Sequence, residues 1–242
     1  MSFSSLRSAL AFLTVIPVAA RDGSPGERLG RAVFPAVGLL LGLLAWVALW
    51  LGSLLGGPLF GAVAALAALA VLTGGLHLDG FADCADGLLA SGSRERRLEI
   101  MRDPRLGAFG VVALVLLLLA DAALLQQLGV RLALPALVAA GAISRLAMLG
   151  ALVALPYVRP EGLGRAATGR SRRDVALGSL LAAPTLLLGW PHAVLGAGLA
   201  ACAAAGIAAL AHHRIGGATG DVYGAVSELA QFAVLLAFAV PL

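Results

Sequence analysis

The chain reads as long apolar runs separated by very short turns on one side and longer polar segments on the other. Runs at about 32–54, 58–76, 108–128, 132–155, 174–190, 192–211 and 225–242 approach or exceed the roughly 20 apolar residues that carry a helix across a bilayer. Gly56-Gly57-Pro58, the neighbourhood of Gly129, and Gly189-Trp190-Pro191 leave room only for tight turns between antiparallel helices. The predicted fold class is therefore all-α: a polytopic transmembrane helical bundle of about seven spans with added interfacial helices. No polar block is long enough for a second core, so residues 1–242 read as one integral-membrane domain.

A shorter apolar stretch, Ser8 to Ala20, follows Arg7, and Val18-Ala19-Ala20 has the small-residue spacing of a signal cleavage site. The stretch is short and broken by Pro17. It is expected to stay on the protein as an interfacial or re-entrant helix.

Composition strengthens this picture. Apolar residues make up 60% of the chain and the mean hydropathy is +0.97, which excludes an ordinary soluble domain. All 17 basic residues are Arg and the net charge is +4, but they lie in separate segments rather than one stripe, which argues against a nucleic-acid partner. Arg7, Arg21, Arg28 and Arg31 lie in 1–31; Arg94, Arg96, Arg97, Arg102 and Arg105 in 77–107. Arg159, Arg165, Arg170, Arg172 and Arg173 lie in 156–174, and Arg214 in the last connection, while the opposite side holds only Arg131. The positive-inside rule then predicts a multi-pass protein of the bacterial cytoplasmic (inner) membrane with this charged side in the cytoplasm. Arg94, Arg96 and Arg97 read as juxtamembrane charge on an interfacial helix. Arg145 is different: it lies about ten residues inside the fourth run, where an ionisable group faces the bundle interior or a water-filled cavity. Cys84 and Cys202 form neither a metal-type spacing nor a disulfide framework.

The candidate chemistry lies on the charged side. Leu76-His77-Leu78-Asp79-Gly80-Phe81-Ala82-Asp83-Cys84-Ala85-Asp86-Gly87 puts three carboxylates within eight positions of a chain that has thirteen. On a helix, Asp83 falls about 40° and Asp86 about 20° from Asp79, so the three share one face. Like charges so placed repel unless a cation joins them, and Mg²⁺ takes oxygen ligands and bridges carboxylates to phosphates. Helix capping accounts for one such Asp more readily than for three. His77, about 160° away on the same wheel, reads as a packing residue.

Three further segments share that side. In Ile100-Met101-Arg102-Asp103-Pro104-Arg105-Leu106-Gly107-Ala108-Phe109-Gly110, two guanidinium groups suited to phosphate oxygens flank Asp103. In Gly216-Gly217-Ala218-Thr219-Gly220-Asp221, a Gly-rich turn enters a helix. Asp221 and Glu228, seven apart, share a face; Glu228 either completes a metal site or pairs with Arg145. In Pro156 to Arg165, Arg159 and Glu161 are open to two readings, substrate contact or plain loop.

Taken together these motifs resemble the cobalamin synthase family, the adenosylcobinamide-GDP ribazoletransferases. The family's LHxDGxADxxDG pattern is similar to Leu76–Gly87, its IM(K/R)DxRxGxFG pattern to Ile100–Gly110, and its GATGDxxGAxxE pattern to Gly217–Glu228. Weaker likeness runs through Phe12-Leu13-Thr14 to Pro17, Phe34-Pro35 with Gly38, and Arg159 to Gly164, so the resemblance spans nearly the whole chain. It implies Mg²⁺-dependent transfer of the cobinamide-phosphate moiety of adenosylcobinamide-GDP to α-ribazole or its 5′-phosphate, with release of GMP. A ribose hydroxyl would attack the phosphorus nearer the cobinamide. Under this resemblance Asp79, Asp83, Asp86, Asp221 and Glu228 are the expected catalytic and metal-binding acids. Arg102, Asp103, Arg105, Arg145, Arg159, Glu161 and Thr219 are the expected substrate contacts. Partners beyond the two substrates and the lipid bilayer would be a second copy of the chain or other enzymes of the corrinoid pathway. A CDP-alcohol phosphotransferase of lipid synthesis is the nearest alternative, but its motif has an Arg and a later acidic pair that this stretch lacks. A cation-coupled transporter would place its acids near the bilayer midplane rather than at one face.

Overall fold

Two glycines decide where the longest apolar runs turn. The computed structural model describes residues 3–18 and 29–241. In it, Gly57 (φ 83°) and Gly129 (φ 61°) are the non-helical residues inside α2 (Phe34–Thr73) and α5 (Ala108–Ala154). A positive φ is open to glycine at little cost, and Pro58 opens the second arm of α2 where a missing N–H breaks no helical bond. Each helix is thereby divided into two arms, 34–56 with 58–73 and 108–128 with 130–154. The arms of α2 fold back, bringing Gly61 against Ser53 and the Leu49 carbonyl. In α5, Asp121 and Arg145 would stand about 36 Å apart on a straight helix, yet they line one small cavity. That helix too has doubled back.

The remaining elements are α1 (Phe3–Leu13), a 3-10 turn (Arg31–Val33), α3 (Leu76–Leu89), α4 (Arg94–Ile100), α6 (Leu163–Ala167), α7 (Arg172–Leu188), α8 (His192–Ile215) and α9 (Gly220–Ala239). Among the described residues there is no strand, only an isolated parallel bridge between Tyr157 and Ala218. The protein is an all-α helical bundle. Four helices are long and apolar enough to cross a membrane: Arg31–Thr73, Ala108–Ala154, His192–Ile215 and Gly220–Ala239. Two of these contain the glycine bends; α7, at 17 residues, is not among them. Bulky apolar side chains such as Leu55, Leu116, Leu119, Leu187 and Trp190 cover the outside, as a lipid-facing surface requires.

Close backbone contact holds the bundle together. Gly38 on α2 and Gly141 on α5 face each other so tightly that a Cβ on either would overlap the other's carbonyl, and such small-residue crossings are how helices pack without a solvent driving force. α9 is the central element. Its residues from Val222 to Phe238 are nearly all buried, packed on α3, α5 and α8.

Several edges differ from those the apolar runs suggest. α9 starts at Gly220, five residues before the apolar run at 225, and Asp221 lies in its first turn on the helix that the Gly-rich turn enters. α1 ends at Leu13, ahead of Pro17, with Thr14 Oγ1 donating to the Leu10 carbonyl at 2.7 Å. Its Ala9 and Leu13 are fully buried, so it packs into the bundle; Ala19, Ala20, Arg21 and Arg28 lie outside the described residues. Two arginines that read as surface charge are buried clamps. Arg31 Nε donates to Asp174 Oδ2 at 2.7 Å and its Nη1 to the Ala167 carbonyl at 2.8 Å, fixing the start of α2 to the α6–α7 connection. Arg97 Nη1 donates to the Leu88 and Gly87 carbonyls, closing the end of α3.

Candidate active site

α3 begins after Gly74 and Gly75, both in the left-handed region, which turn the chain out of α2 and set Asp79, Asp83 and Asp86 one turn apart along a single helix. Gly80 lets this helix approach α9 directly: a Cβ there would lie 2.9 Å from the Asp221 Cα. The carboxylates at 79 and 83 are thus brought beside Asp221, although they lie some 140 residues apart in the chain.

Their surroundings then separate the three acids of α3. Asp79 is exposed and Asp83 half-buried, and neither accepts a hydrogen bond from another described residue. The Asp83 carboxyl is pushed up to about 7, first by burial, then by the negative charges of Asp221 and Asp79. Asp86 behaves otherwise. Its Oδ2 accepts from the Gly107 amide at 2.7 Å and its Oδ1 from the Gly110 amide at 2.8 Å. Both oxygens are therefore engaged at the amino end of α5, where the exposed N–H groups and helix dipole favour a carboxylate. A Cβ at Gly107 or Gly110 would collide with Asp86, which explains the glycines of that motif. In this structure Asp86 serves as a cap for the amino end of α5.

Glu228 lies deeper than the other acids. It shares a face of α9 with Asp221, but seven residues of helix carry it about 10 Å along the axis. There it lines a small cavity with Asp121, Arg145, Gln231 and Thr73. Arg145, 1% exposed, lies in the bundle interior. Its Nη1 donates to Ser144 Oγ at 2.9 Å and Gln231 Oε1 at 3.2 Å, and its Nη2 lies 3.4 Å from His77 Nδ1. Arg145 therefore joins α5, α9 and α3 beneath the site, and Glu228 shares its cavity without a direct ion pair to it. Asp121, missed in the sequence because it sits in an unbroken apolar run, adds a second buried acid there.

The loop after α5 completes the cleft. Residues 156–158 pair with 218: Ala218 N donates to the Pro156 carbonyl at 2.8 Å, and Val158 N to the Ala218 carbonyl at 3.0 Å. This carries Arg159 to Asp221, where Nη2 meets Oδ2 at 2.8 Å, and the same nitrogen donates to the Met101 carbonyl at 3.1 Å. Thr219 caps α9 and its Oγ1 donates to Asp221 Oδ2 at 3.1 Å. Arg102 is exposed, and Arg105 is paired with Asp103 in an exposed fork, which holds the Asp103 carboxyl down to about 2. Glu161 is exposed at the outer edge of the loop.

Among the described residues no three His, Cys, Asp or Glu side chains enclose a metal position. The donors at hand are two uncommitted carboxylates, Asp79 and Asp83, with Asp221 beside them. Such a pair suits Mg²⁺, which keeps several waters and commonly binds through one or two carboxylates plus substrate phosphates.

A bundle of apolar helices with a carboxylate-lined, arginine-clamped cleft at its charged end defines a helical membrane protein with a built polar site. Within that class, the chain belongs to the cobalamin-5-phosphate synthase family, whose sequence pattern matches residues 5–239. A relative from Pseudomonas putida (strain GB-1) is 43% identical over 245 residues, covering 97% of this chain and 98% of its own. One from Bradyrhizobium diazoefficiens is 38% identical over 241 residues, covering 96% and 92%. One from Escherichia coli O139:H28 is 36% identical over 237 residues, covering 94% and 96%. All three carry the name adenosylcobinamide-GDP ribazoletransferase. No solved structure matches the chain.

Proposed function

We propose that this protein transfers the cobinamide-phosphate moiety of adenosylcobinamide-GDP to α-ribazole or α-ribazole 5′-phosphate, releasing GMP in nucleotide-loop assembly. Family membership with relatives of that name supports the substrates. The observation that carries the chemistry is the pair of uncommitted carboxylates, Asp79 and Asp83, beside the Arg159–Asp221 ion pair. In the reaction a bond forms between a ribose oxygen and the phosphorus nearer the cobinamide. The bridging oxygen leaves with GMP, and the hydroxyl proton passes to a base.

Asp79 and Asp83 would hold Mg²⁺, which supplies charge neutralisation on the diphosphate oxygens. Asp221 is the candidate base. Its Oδ2 is occupied by Arg159 and Thr219, which fixes the carboxylate and leaves Oδ1 toward substrate. Arg102 and Arg105, exposed on the outer side of the cleft, would meet the phosphates of the departing GMP. By the positive-inside rule the charged end would face the cytoplasm of a bacterial inner membrane, and counting each arm of the bent α2 and α5 with α7, α8 and α9 would give seven crossings.

The test is a product assay on purified protein in lipid vesicles. Adenosylcobinamide-GDP with either acceptor should yield GMP and a new corrinoid in equal amounts, and neither substrate alone should yield GMP. Release of GDP in place of GMP, or no turnover of a folded preparation, would overturn the reading.

A further inference from the structure

A groove of about 580 Å³ lies on the outside of the bundle, where the second arm of α5 forms a floor between α7 and α8. Its walls run from Ser179 to Leu186 on α7 and from Ala197 to Ala208 on α8, and Ser179 brings the single polar side chain to its lining. Ala183, Ala201 and Ala205 are exposed, so the groove opens to the surface. The α8 wall is about 16 Å long, close to one leaflet of a hydrocarbon core roughly 30 Å thick. Over that length the groove averages about 35 Å² in section, whereas a helix about 10 Å wide needs roughly 80 Å². Past the end that α7 and α8 share at their connecting turn, the surface becomes bulky, with Leu187 82% and Trp190 70% exposed. A membrane helix of a second copy packs through small residues along its crossing and would run onto these side chains. The dimensions suit an extended alkyl chain instead.

The other end of the groove is charged. Around α7, Arg172 falls about 20° from Ser179 and from Ala183; around α8, His212 falls about 20° from Ala201 and from Ala205. Each apolar wall therefore continues, within one or two turns, into an exposed side chain that donates hydrogen bonds. The Gly169 amide donates to the Leu152 carbonyl at 3.4 Å, which sets the start of α7 level with the end of α5. Arg173, His213 and Arg214 lie on the same two terminal turns. Asp174 is the one acid in α7, α8 and the second arm of α5, and Arg31 already holds it at 2.7 Å. An apolar slot of one leaflet's depth thus opens beneath a positive rim with no free carboxylate, the complement of an anionic amphiphile.

We propose that this groove seats an anionic phospholipid from the leaflet on the charged side, with its phosphate between Arg172 and His212 and an acyl chain along the alanines of α8. The bound chain fills the space between α7 and α8 and braces both against α5. The inference rests on the bundle lying in a bilayer and not on the transfer reaction.

Native mass spectrometry of the full-length protein reads lipid occupancy and oligomeric state together. The protein is incubated in detergent with equal amounts of phosphatidylglycerol and phosphatidylcholine of the same chain length. Wild-type protein should retain one phosphatidylglycerol in about five-fold or greater excess over phosphatidylcholine, since each cation near the surface strengthens attraction to an anionic lipid about five-fold. The double variant Arg172→Gln, His212→Gln should still retain one lipid but bring the two kinds near parity. The double variant Ala205→Leu, Ala208→Leu fills the slot and leaves every charge in place; it should lose retention of both lipids while melting, without added lipid, no lower than the wild type. Equal retention of the two lipids by the wild type, a preference that survives the loss of Arg172 and His212, or undiminished retention in the leucine variant would each overturn the inference. So would a lipid-free dimer that the leucines dissociate, which would make the groove an interface between copies. GMP release enters none of these readings, so failure of the transfer reaction leaves them intact.

Discussion

Replacing Asp86 separates the capping role from the metal role. Its two carboxylate oxygens satisfy the amides of Gly107 and Gly110 at the start of α5. Hydrogen bonds to a charged acceptor contribute about 1.5–3 kcal/mol each, and loss of a helix cap costs about 0.5–2 kcal/mol. Gly110 is buried, whereas Gly107 is partly exposed and can turn to water. Asp86→Ala should therefore cost about 2–4 kcal/mol. Asp86→Asn keeps one acceptor oxygen but turns an NH₂ toward an amide, so it should cost about half as much. In thermal unfolding of the detergent-solubilised protein, Asp86→Ala should lower the midpoint by about 5–15 °C for a chain of this size. Proteolysis near residues 101–107 should speed up in step. Activity measured well below the new midpoint should keep its Mg²⁺ dependence. If Asp86→Asn unfolds at the wild-type temperature yet loses its response to Mg²⁺, Asp86 is a ligand and the capping argument is wrong.

Four other substitutions, two of them combined in one cycle, probe the remaining parts. Because the Asp83 carboxyl is raised from 3.8 to about 7, the folded protein holds a proton between those values that the unfolded chain has lost. Metal-free stability should thus fall as pH rises through that window and level off above it; in EDTA, Asp83→Asn should raise the melting temperature at pH 8, with the gain shrinking toward pH 4. An equal gain at both pH values would contradict the assignment. Asp174→Asn strands the buried Arg31 guanidinium and should cost about 2–4 kcal/mol, discounted from a fully buried pair because Asp174 is 22% exposed; denaturant or thermal unfolding reads this directly. Arg145→Met should destabilise the bundle by about 2–4 kcal/mol by removing the buried guanidinium that donates to Ser144 and Gln231 and the positive charge near Glu228, and adding Glu228→Gln should recover part of the loss. Simple additivity in that double-mutant cycle would show that the two residues do not interact.

The apolar runs and the Gly57 and Gly129 turns were readable because a bilayer sets the length of a run, and only glycine readily takes the backbone those turns need. The acidic stripe on α3 was readable as well, since helical spacing alone aligns residues 79, 83 and 86. What separates Asp86 from the others is a partner 21 residues away, Gly107, whose position depends on how α5 docks. Glu228 shows the limit of angular reasoning: a helical wheel places it on Asp221's face but ignores the rise that moves it to another depth. Arg31 and Arg97 counted as surface charge because charge near a membrane edge is ordinarily solvated. The sign that Arg97 is buried was its place one turn before Met101, on the face that apolar spacing turns inward. Arg159 reaches Asp221 through the pairing of Tyr157 with Ala218, 61 residues on, which no local pattern signals.

The most direct measurement is the rate of GMP release from adenosylcobinamide-GDP and α-ribazole across a Mg²⁺ titration, for wild type, Asp83→Asn and Asp86→Asn side by side in vesicles. Saturable Mg²⁺-dependent release by the wild type is expected, with retention by Asp86→Asn and a loss of about 100-fold or more, matching the roughly 3 kcal/mol tied to one key transition-state contact, in Asp83→Asn. Normal Mg²⁺-dependent release by a folded Asp83→Asn protein would contradict the assignment of the α3 carboxylates as the metal platform.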